Sequence, residues 1–374
     1  MTALAAVDFA LPAMDVAGRV HRLRQRLGEA GCEALLVTTL TNIRYLTGFS
    51  GSAALLLVLP DGMVLSTDGR YKSQSAEQLA LGGVEARIEI GKLTEQQQAM
   101  SAAAKGIARL GLEAGNVTWA RQRAFAVDWF PGAELVPTEG LVEELRRVKD
   151  AGELARMRTA ARIADEALAQ EAPRLAEGVT EAEFALALDV AMRRLGASGN
   201  SFETIVASGP NGAKPHARPT GRRIEAGELV VVDFGAVVDG YCSDMTRTLC
   251  VGQPATAMRG RMVEVVAEAQ RAGVAAVRAG RAAVEVDEAC REVIADAGWG
   301  EAFLHSTGHG VGLDIHEAPA VSTTSGDTLS TGYVVTVEPG VYLPDHGGVR
   351  IEDTLVVTET GCEPLTNAPK DLVI

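Results

Sequence analysis

Four carboxylates in this chain sit where a strand should be apolar. Asp233 ends the run Val230-Val231-Val232, Asp244 lies in GYCSDMTRT, Glu338 follows Val334-Val335-Thr336-Val337, and Glu352 interrupts VRIEDTLVV. A lone acid in such a run costs several kcal/mol unless it is paired or bound to a metal. Asp239-Gly240 is a two-residue hairpin signal. With the turn there, Val238 faces Tyr241, and counting outward sets Asp244 opposite Gly235. Asp233, two residues from Gly235, then shares a face with Asp244, so both carboxylates aim at one spot. Glu338 and Glu352 repeat the theme on a second strand pair. Arg247 and Arg350 are the nearby cations, too few to neutralise four acids.

The histidines point the same way. His305, His309 and His316 fall within HSTGHGVGLDIHE, where glycines interrupt any helix and predict a loop with exposed backbone. His21, on a polar helix face, reads as a surface residue. Carboxylate-rich ligation with one imidazole suits two divalent ions of the manganese, cobalt or zinc kind rather than a structural thiolate zinc. Four carboxylates balance the charge of two such ions. Ions so placed lower the pKa of the water between them and hold an attacked carbonyl.

The elements that must position these groups follow from periodicity. In the first part, Asp15 is placed to cap a helix carrying Val16, Val20, Leu23 and Leu27, stopped by Gly31. Strands are expected at Ala34–Thr38, Ala53–Leu59, Met63–Ser66, Val84–Ile90 and Arg109–Glu113, with a helix near Glu95–Ala104. This alternation reads as an α/β domain over residues 1–145, opening with a loose extension over 1–14. From 146 to 374 the rhythm changes. Helices at about 151–172 and 181–195 precede a strand pair, 229–238 and 241–251. Helices at about 258–279 and 284–297 precede another pair, 333–343 and 349–358. The order helix, helix, hairpin thus occurs twice, without a residue-level repeat.

Composition bounds the rest. The chain has 374 residues, enough for two domains, and an apolar share of 47% that supports a large core. The net charge of −14 disfavours nucleic acid as a partner. No apolar run approaches a membrane span, and the first residues lack the basic start of a secretory signal. Five scattered cysteines with no CxxC pair suit a reducing compartment. A cytoplasmic protein without membrane partner is expected. The kinase-like DFG stands without its companion motifs, and GHGVG is not a dinucleotide-binding GxGxxG.

The segments VVVDFGAVVDGYCSDMTRT, HSTGHGVGLDIHE, VEPGVYLP and GVRIEDT resemble the pita-bread metallopeptidases, most of all their Xaa-Pro branch, the prolidases and aminopeptidases P. NIRYLTGFSGSAALLLVLPDG and LSTDGRYKSQSAEQ are similar to that branch's creatinase-type N-terminal domain. The resemblance implies an α+β fold: a pita-bread catalytic domain of two pseudo-twofold helix-helix-hairpin halves, preceded by a smaller α/β domain. It implies metal ligation by Asp233, Asp244, His309, Glu338 and Glu352, with Asp244 and Glu352 bridging two divalent ions, manganese first and cobalt or zinc as alternatives. Glu338 would shuttle the proton of the nucleophilic water. His216 would contact the substrate, His316 would stabilise the tetrahedral intermediate, and His305 and Arg350 would line the proline side of the cleft. Arg44, expected in a loop, is a candidate for the free carboxylate of a dipeptide. The implied activity is hydrolysis of the Xaa-Pro imide bond in dipeptides by a homodimer. The alternatives are release of the first residue from longer Xaa-Pro peptides, or a non-catalytic binding protein of the same fold.

Overall fold

The structure, a computed structural model, describes residues 11–370 and 373–374. Most of the expected N-terminal extension therefore lies outside the described residues. The chain divides into two compact units. One is Ala13–Arg146; the other takes Arg147–Ile374 together with the described residues that precede Ala13.

The first unit is built on a six-stranded mixed sheet. Its strands are β1 (Ala34–Val37), β2 (Ala54–Val58), β3 (Met63–Thr67), β4 (Arg87–Ile90), β5 (Arg109–Glu113) and β6 (Glu134–Thr138), in the order β4-β3-β2-β1-β5-β6. Its helices are α1 (Arg19–Leu27), α2 (Leu40–Thr47), α3 (Lys72–Leu81), α4 (Leu93–Ala103), α5 (Trp119–Ala124) and α6 (Glu143–Arg146). Alternate strand residues such as Leu36, Leu57 and Leu110 pack on Met100, Phe125 and Trp129. Helix α1 starts three residues later than Val16, because Asp15 accepts the Gly18 N–H and closes a turn before the helix begins. Arg44 is not in a loop. It lies in α2, whose carbonyl at Arg44 accepts the N–H of Gly48 in a left-handed cap. Eight residues bounded by an extended Thr39 and this glycine are too few to show a clear period in sequence.

The second unit contains the expected doubled order. Helices α7 (Ala151–Glu171) and α8 (Glu181–Arg194) are followed by β7 (Gly199–Asn200), β8 (Ile205–Ser208), β9 (Leu229–Phe234), β10 (Ala236–Val238), β11 (Tyr241–Cys242) and β12 (Met245–Cys250). Then come α9 (Ala257–Ala276), α10 (Ala283–Asp296), β13 (Gly308–Gly310), β14 (Glu317–Val321), β15 (Val334–Val337), β16 (Gly340–Leu343), β17 (Gly347–Arg350), β18 (Asp353–Val357) and β19 (Cys362–Pro364). In the first half, Ala160, Ala164, Phe184 and Leu188 pack on Val230, Val232 and Leu249. In the second, Met262, Val266, Val286 and Cys290 pack on Val335, Val337 and Leu355. Each helix pair thus buries the outer face of a sheet and leaves the carboxylates on the other side. The Asp239-Gly240 turn has positive φ at both residues, as its type requires.

Three of the four long expected strands are interrupted at an acid, Asp244, Glu338 or Glu352, and the fourth at Gly235, two residues past Asp233. Pairing runs in one register from Val238↔Tyr241 to Phe234↔Met245 and Asp233↔Thr246, which leaves Gly235 opposite Asp244, as counted from the turn. Likewise Gly340↔Arg350 and Val337↔Asp353 share one register, which sets Glu338 opposite Glu352. At these interruptions the backbone turns to other partners. The N–H of Glu352 donates to Thr246 O (3.1 Å), stitching the second half to the first at the site, and that of Glu338 donates to Thr307 O (2.8 Å) within the second half.

The segment expected as an open loop proves partly strand. Gly308–Gly310 forms β13, between β14 and β15, with His309 at its centre. The glycines serve close approach here, not disruption. A Cβ at 308 would collide with the Thr336 carbonyl, and one at 310 with the Ala318 carbonyl.

Candidate metal centre

The four carboxylates and His309 converge. Asp233, Asp244 and Glu352 each bring one oxygen within 4.8 Å of the others. His309 Nε2 lies 3.6 Å from Asp244 Oδ2 and 3.4 Å from Glu338 Oε1. His309 Nδ1 is 3.0 Å from the Gly310 carbonyl, an acceptor, so Nδ1 carries a proton and Nε2 is the nitrogen turned to the acids. Burial lowers this imidazole's proton affinity, but Glu338 and its neighbours outweigh burial and leave the net shift upward.

The electrostatics ask for cations. Burial, then the neighbouring carboxylates, push Asp244 and Glu352 well above the carboxylate range. Burial also raises Asp233, against the opposing charge of Arg350. For Glu338, burial is outweighed by the hydrogen bond and charge of His309, which hold it down to about 2. Arg247 does not help, since it pairs with Asp353 at 2.9 Å. Two buried oxygens, Asp233 Oδ1 and Glu352 Oε1, accept no hydrogen bond. Carboxylate oxygens crowded together beside an imidazole nitrogen, two of them lacking donors, fit divalent ions coordinated by oxygen and nitrogen.

A ring of polar contacts fixes the acids. Arg350, only 2% exposed, donates from Nη2 to Asp233 Oδ2 (2.6 Å), from Nη1 to Tyr342 Oη (2.7 Å) and Pro215 O (3.2 Å), and from Nε to Thr246 Oγ1 (3.1 Å). Thr246 in turn donates to Glu352 Oε2 at 2.8 Å. His305 Nδ1 faces the Ser306 carbonyl (2.8 Å), so its Nε2 accepts from Tyr342 Oη (2.8 Å). Burial lowers the His305 pKa, and it raises that of Tyr342 to about 12, so the phenol keeps the proton it donates.

A cleft of about 600 Å³ opens over the cluster. His216, His305, His309, His316, Asp233, Asp244, Glu338, Arg350 and Glu352 all line it, together with apolar Phe202, Ile205 and Ile315. The His316 ring packs edge-on against His309, centroids 4.4 Å apart, and burial lowers its pKa. Arg44 belongs to the other unit.

A model of metallopeptidase family M24 matches residues 155–359, which include the five converging residues. The chain belongs to metallopeptidase family M24. A model of the creatinase/prolidase N-terminal domain matches residues 19–148 of this M24 peptidase. It is similar to the Xaa-Pro dipeptidase of Pyrococcus horikoshii, 33% identical over 366 residues, 96% of this chain and 100% of the relative. Among solved structures it resembles the Xaa-Pro dipeptidase from Bacillus anthracis (TM-score 0.91, 39% identity, 96% and 99% of the two chains). It also resembles the X-Pro aminopeptidase from Thermotoga maritima (TM-score 0.86, 32% identity, 94% and 99%). The fold is therefore the expected one, a creatinase-type domain followed by a pita-bread catalytic domain, and family membership implies divalent metal ions. Among the described residues, no helix is long and apolar enough to cross a membrane.

Several residues that shape the M24 site escaped the sequence reading. Asp287, fully buried on α10, accepts from Thr307 N and Oγ1 (3.1 and 2.9 Å) and takes both ends of Arg291, bracketing the segment before His309. Lys149 Nζ meets Glu317 Oε2 at 3.2 Å, while Glu317 Oε1 accepts the Asp314 N–H at 3.0 Å. The Asp314–Glu317 contact closes the turn carrying His316, and the ion pair anchors it. Thr307, Asp314 and Glu317, inside HSTGHGVGLDIHE, and Tyr342, inside VEPGVYLP, stood in motifs already singled out but were given no role; Asp287 and Lys149 stood in none.

Proposed function

We propose that this peptidase hydrolyses the Xaa-Pro bond of dipeptides, with Asp233, Asp244, His309, Glu338 and Glu352 holding two divalent ions, manganese first. The observation that carries the reading is the convergence of these five donors on the floor of one cleft, two of their buried oxygens without hydrogen-bond donors. The similar proteins named Xaa-Pro dipeptidase support the substrate class. A non-catalytic scaffold has no use for such a costly set of buried acids.

Divalent ions held there supply Lewis acidity, lowering the pKa of water and polarising a carbonyl. The chain's own groups do the rest. Glu338, ionised at neutral pH, takes a proton from the attacking water and returns it to the departing proline nitrogen. That return matters because an imide nitrogen has no hydrogen of its own. His316, kept neutral by burial, offers an N–H to the developing oxyanion. His216 and His305 flank the substrate. Arg350 orients Asp233 and Tyr342 on the proline side, since its donors are already engaged. The reading carries with it a cytoplasmic homodimer, which light scattering in solution tests.

Release of the first residue from longer Xaa-Pro peptides is the second reading, favoured by the likeness to an X-Pro aminopeptidase. A panel of Ala-Pro, Ala-Ala and Ala-Pro-Ala decides. Cleavage of Ala-Pro at least tenfold faster than the other two is expected. Equal rates on Ala-Pro and Ala-Ala would overturn the proline requirement, and preference for the tripeptide would favour the second reading.

A further inference from the structure

A dipeptide brings a free carboxylate into a cleft floored by acids, so some cation must receive it. Among the described residues lining the cleft, the arginines are Arg218 and Arg350. Arg350 is buried, with its donors spent on Asp233, Tyr342, Thr246 and Pro215. Arg218 differs. Its side chain is 82% exposed, and Nη2 lies 3.3 Å from Oε2 of Glu203, itself 65% exposed. A pair so open to water contributes little stability, so exchanging Glu203 for another carboxylate costs little.

Both members sit at the Asp233 end of the cleft. The Pro215 carbonyl accepts from the same guanidinium that holds Asp233, which ties the segment Pro215–Pro219 to that end. Ile205, which also lines the cleft, pairs with Asp233 in the β8–β9 register, and Glu203 is two residues before it. His216 lies between Pro215 and Arg218, beside the position given above to the substrate.

We infer that Arg218 is a specificity determinant that takes the free α-carboxylate of the Xaa-Pro dipeptide, with Glu203 as the resident counter-ion the substrate displaces. The planar guanidinium suits a bidentate contact with a carboxylate. The inference rests on the dipeptidase reading and deepens it.

The test compares Gly-Pro with Gly-Pro amide, which has the same scissile bond and no carboxylate, on metal-loaded enzyme. Arg218→Ala should lower the dipeptide-to-amide ratio of kcat/KM by about 10–100-fold, the range expected of a charge-assisted contact. Arg218→Lys should recover part of that ratio, and Glu203→Gln should raise it. Equal losses on both substrates would overturn the inference, as would a Glu203→Gln variant weakened on both, which would make Glu203 the partner of the substrate's ammonium. Calorimetric titration of the wild type and Arg218→Ala with proline and prolinamide separates this from the function itself. Failure of the wild type to cleave Gly-Pro would sink the dipeptidase reading. Identical proline affinity in the two proteins would sink the role of Arg218.

Discussion

Replacing Lys149 by Met should destabilise the catalytic unit severely and slow turnover without removing metal. The Lys149 and Glu317 side chains are 1% and 7% exposed, and their charges lie 3.2 Å apart. Methionine keeps most of the stem's packing, so the loss is that of the charge. Removing one partner of a buried pair costs about 3–5 kcal/mol. For a unit of this size, each kcal/mol is worth about 2–4 °C, so the transition should fall by roughly 6–20 °C. The surviving carboxylate still accepts the Asp314 N–H, but it loses the cation that anchors the turn. His316 directly precedes Glu317, so kcat should drop while metal content holds. Trp299 lies in this unit and Trp119 and Trp129 in the other. Fluorescence melts in a Trp119→Phe/Trp129→Phe background therefore report on the catalytic unit. The double variant Lys149→Met/Glu317→Gln should regain part of the loss, because it removes both charges of the pair together. A single-variant loss below about 1 kcal/mol, the range of exposed pairs, would refute the reasoning. So would metal released in step with activity.

Gly308→Ala should lower metal affinity, since its Cβ meets the Thr336 carbonyl and forces β13, with His309, away from β15. Equilibrium dialysis with manganese reads the effect, and unchanged affinity would contradict it. His305→Asn should narrow the stability gap to wild type as pH falls. The wild-type imidazole is held neutral by burial, so its contribution is full above its unfolded pKa and is lost as pH drops through the lowered folded value. Urea melts between pH 5 and 8 measure the gap, and a gap constant with pH would count against the assignment.

The parts of the site legible in sequence were those fixed by strand arithmetic. A turn at Asp239-Gly240 determines which face Asp233 and Asp244 share, and acids inside valine runs announce themselves by their cost. His309 was legible as a site residue but not as a strand residue, because glycine runs signal loops unless the neighbouring backbone is known. Arg44 was misplaced because a helix of eight residues leaves too little periodicity. Contacts such as Lys149–Glu317, 168 positions apart, and Asp287–Thr307 join motif residues to ordinary-looking ones that only the folded chain brings to them.

The most direct measurement is metal content against Xaa-Pro hydrolysis on one sample. The protein is stripped with a chelator, then titrated with manganese while bound metal and Ala-Pro cleavage are followed together. Two ions per chain should bind, and activity should rise from nothing with their occupancy, the ligands being Asp233, Asp244, His309, Glu338 and Glu352. Full cleavage of Ala-Pro by the stripped protein, or metal binding that Asp244→Ala and Glu352→Ala leave intact, would contradict the account.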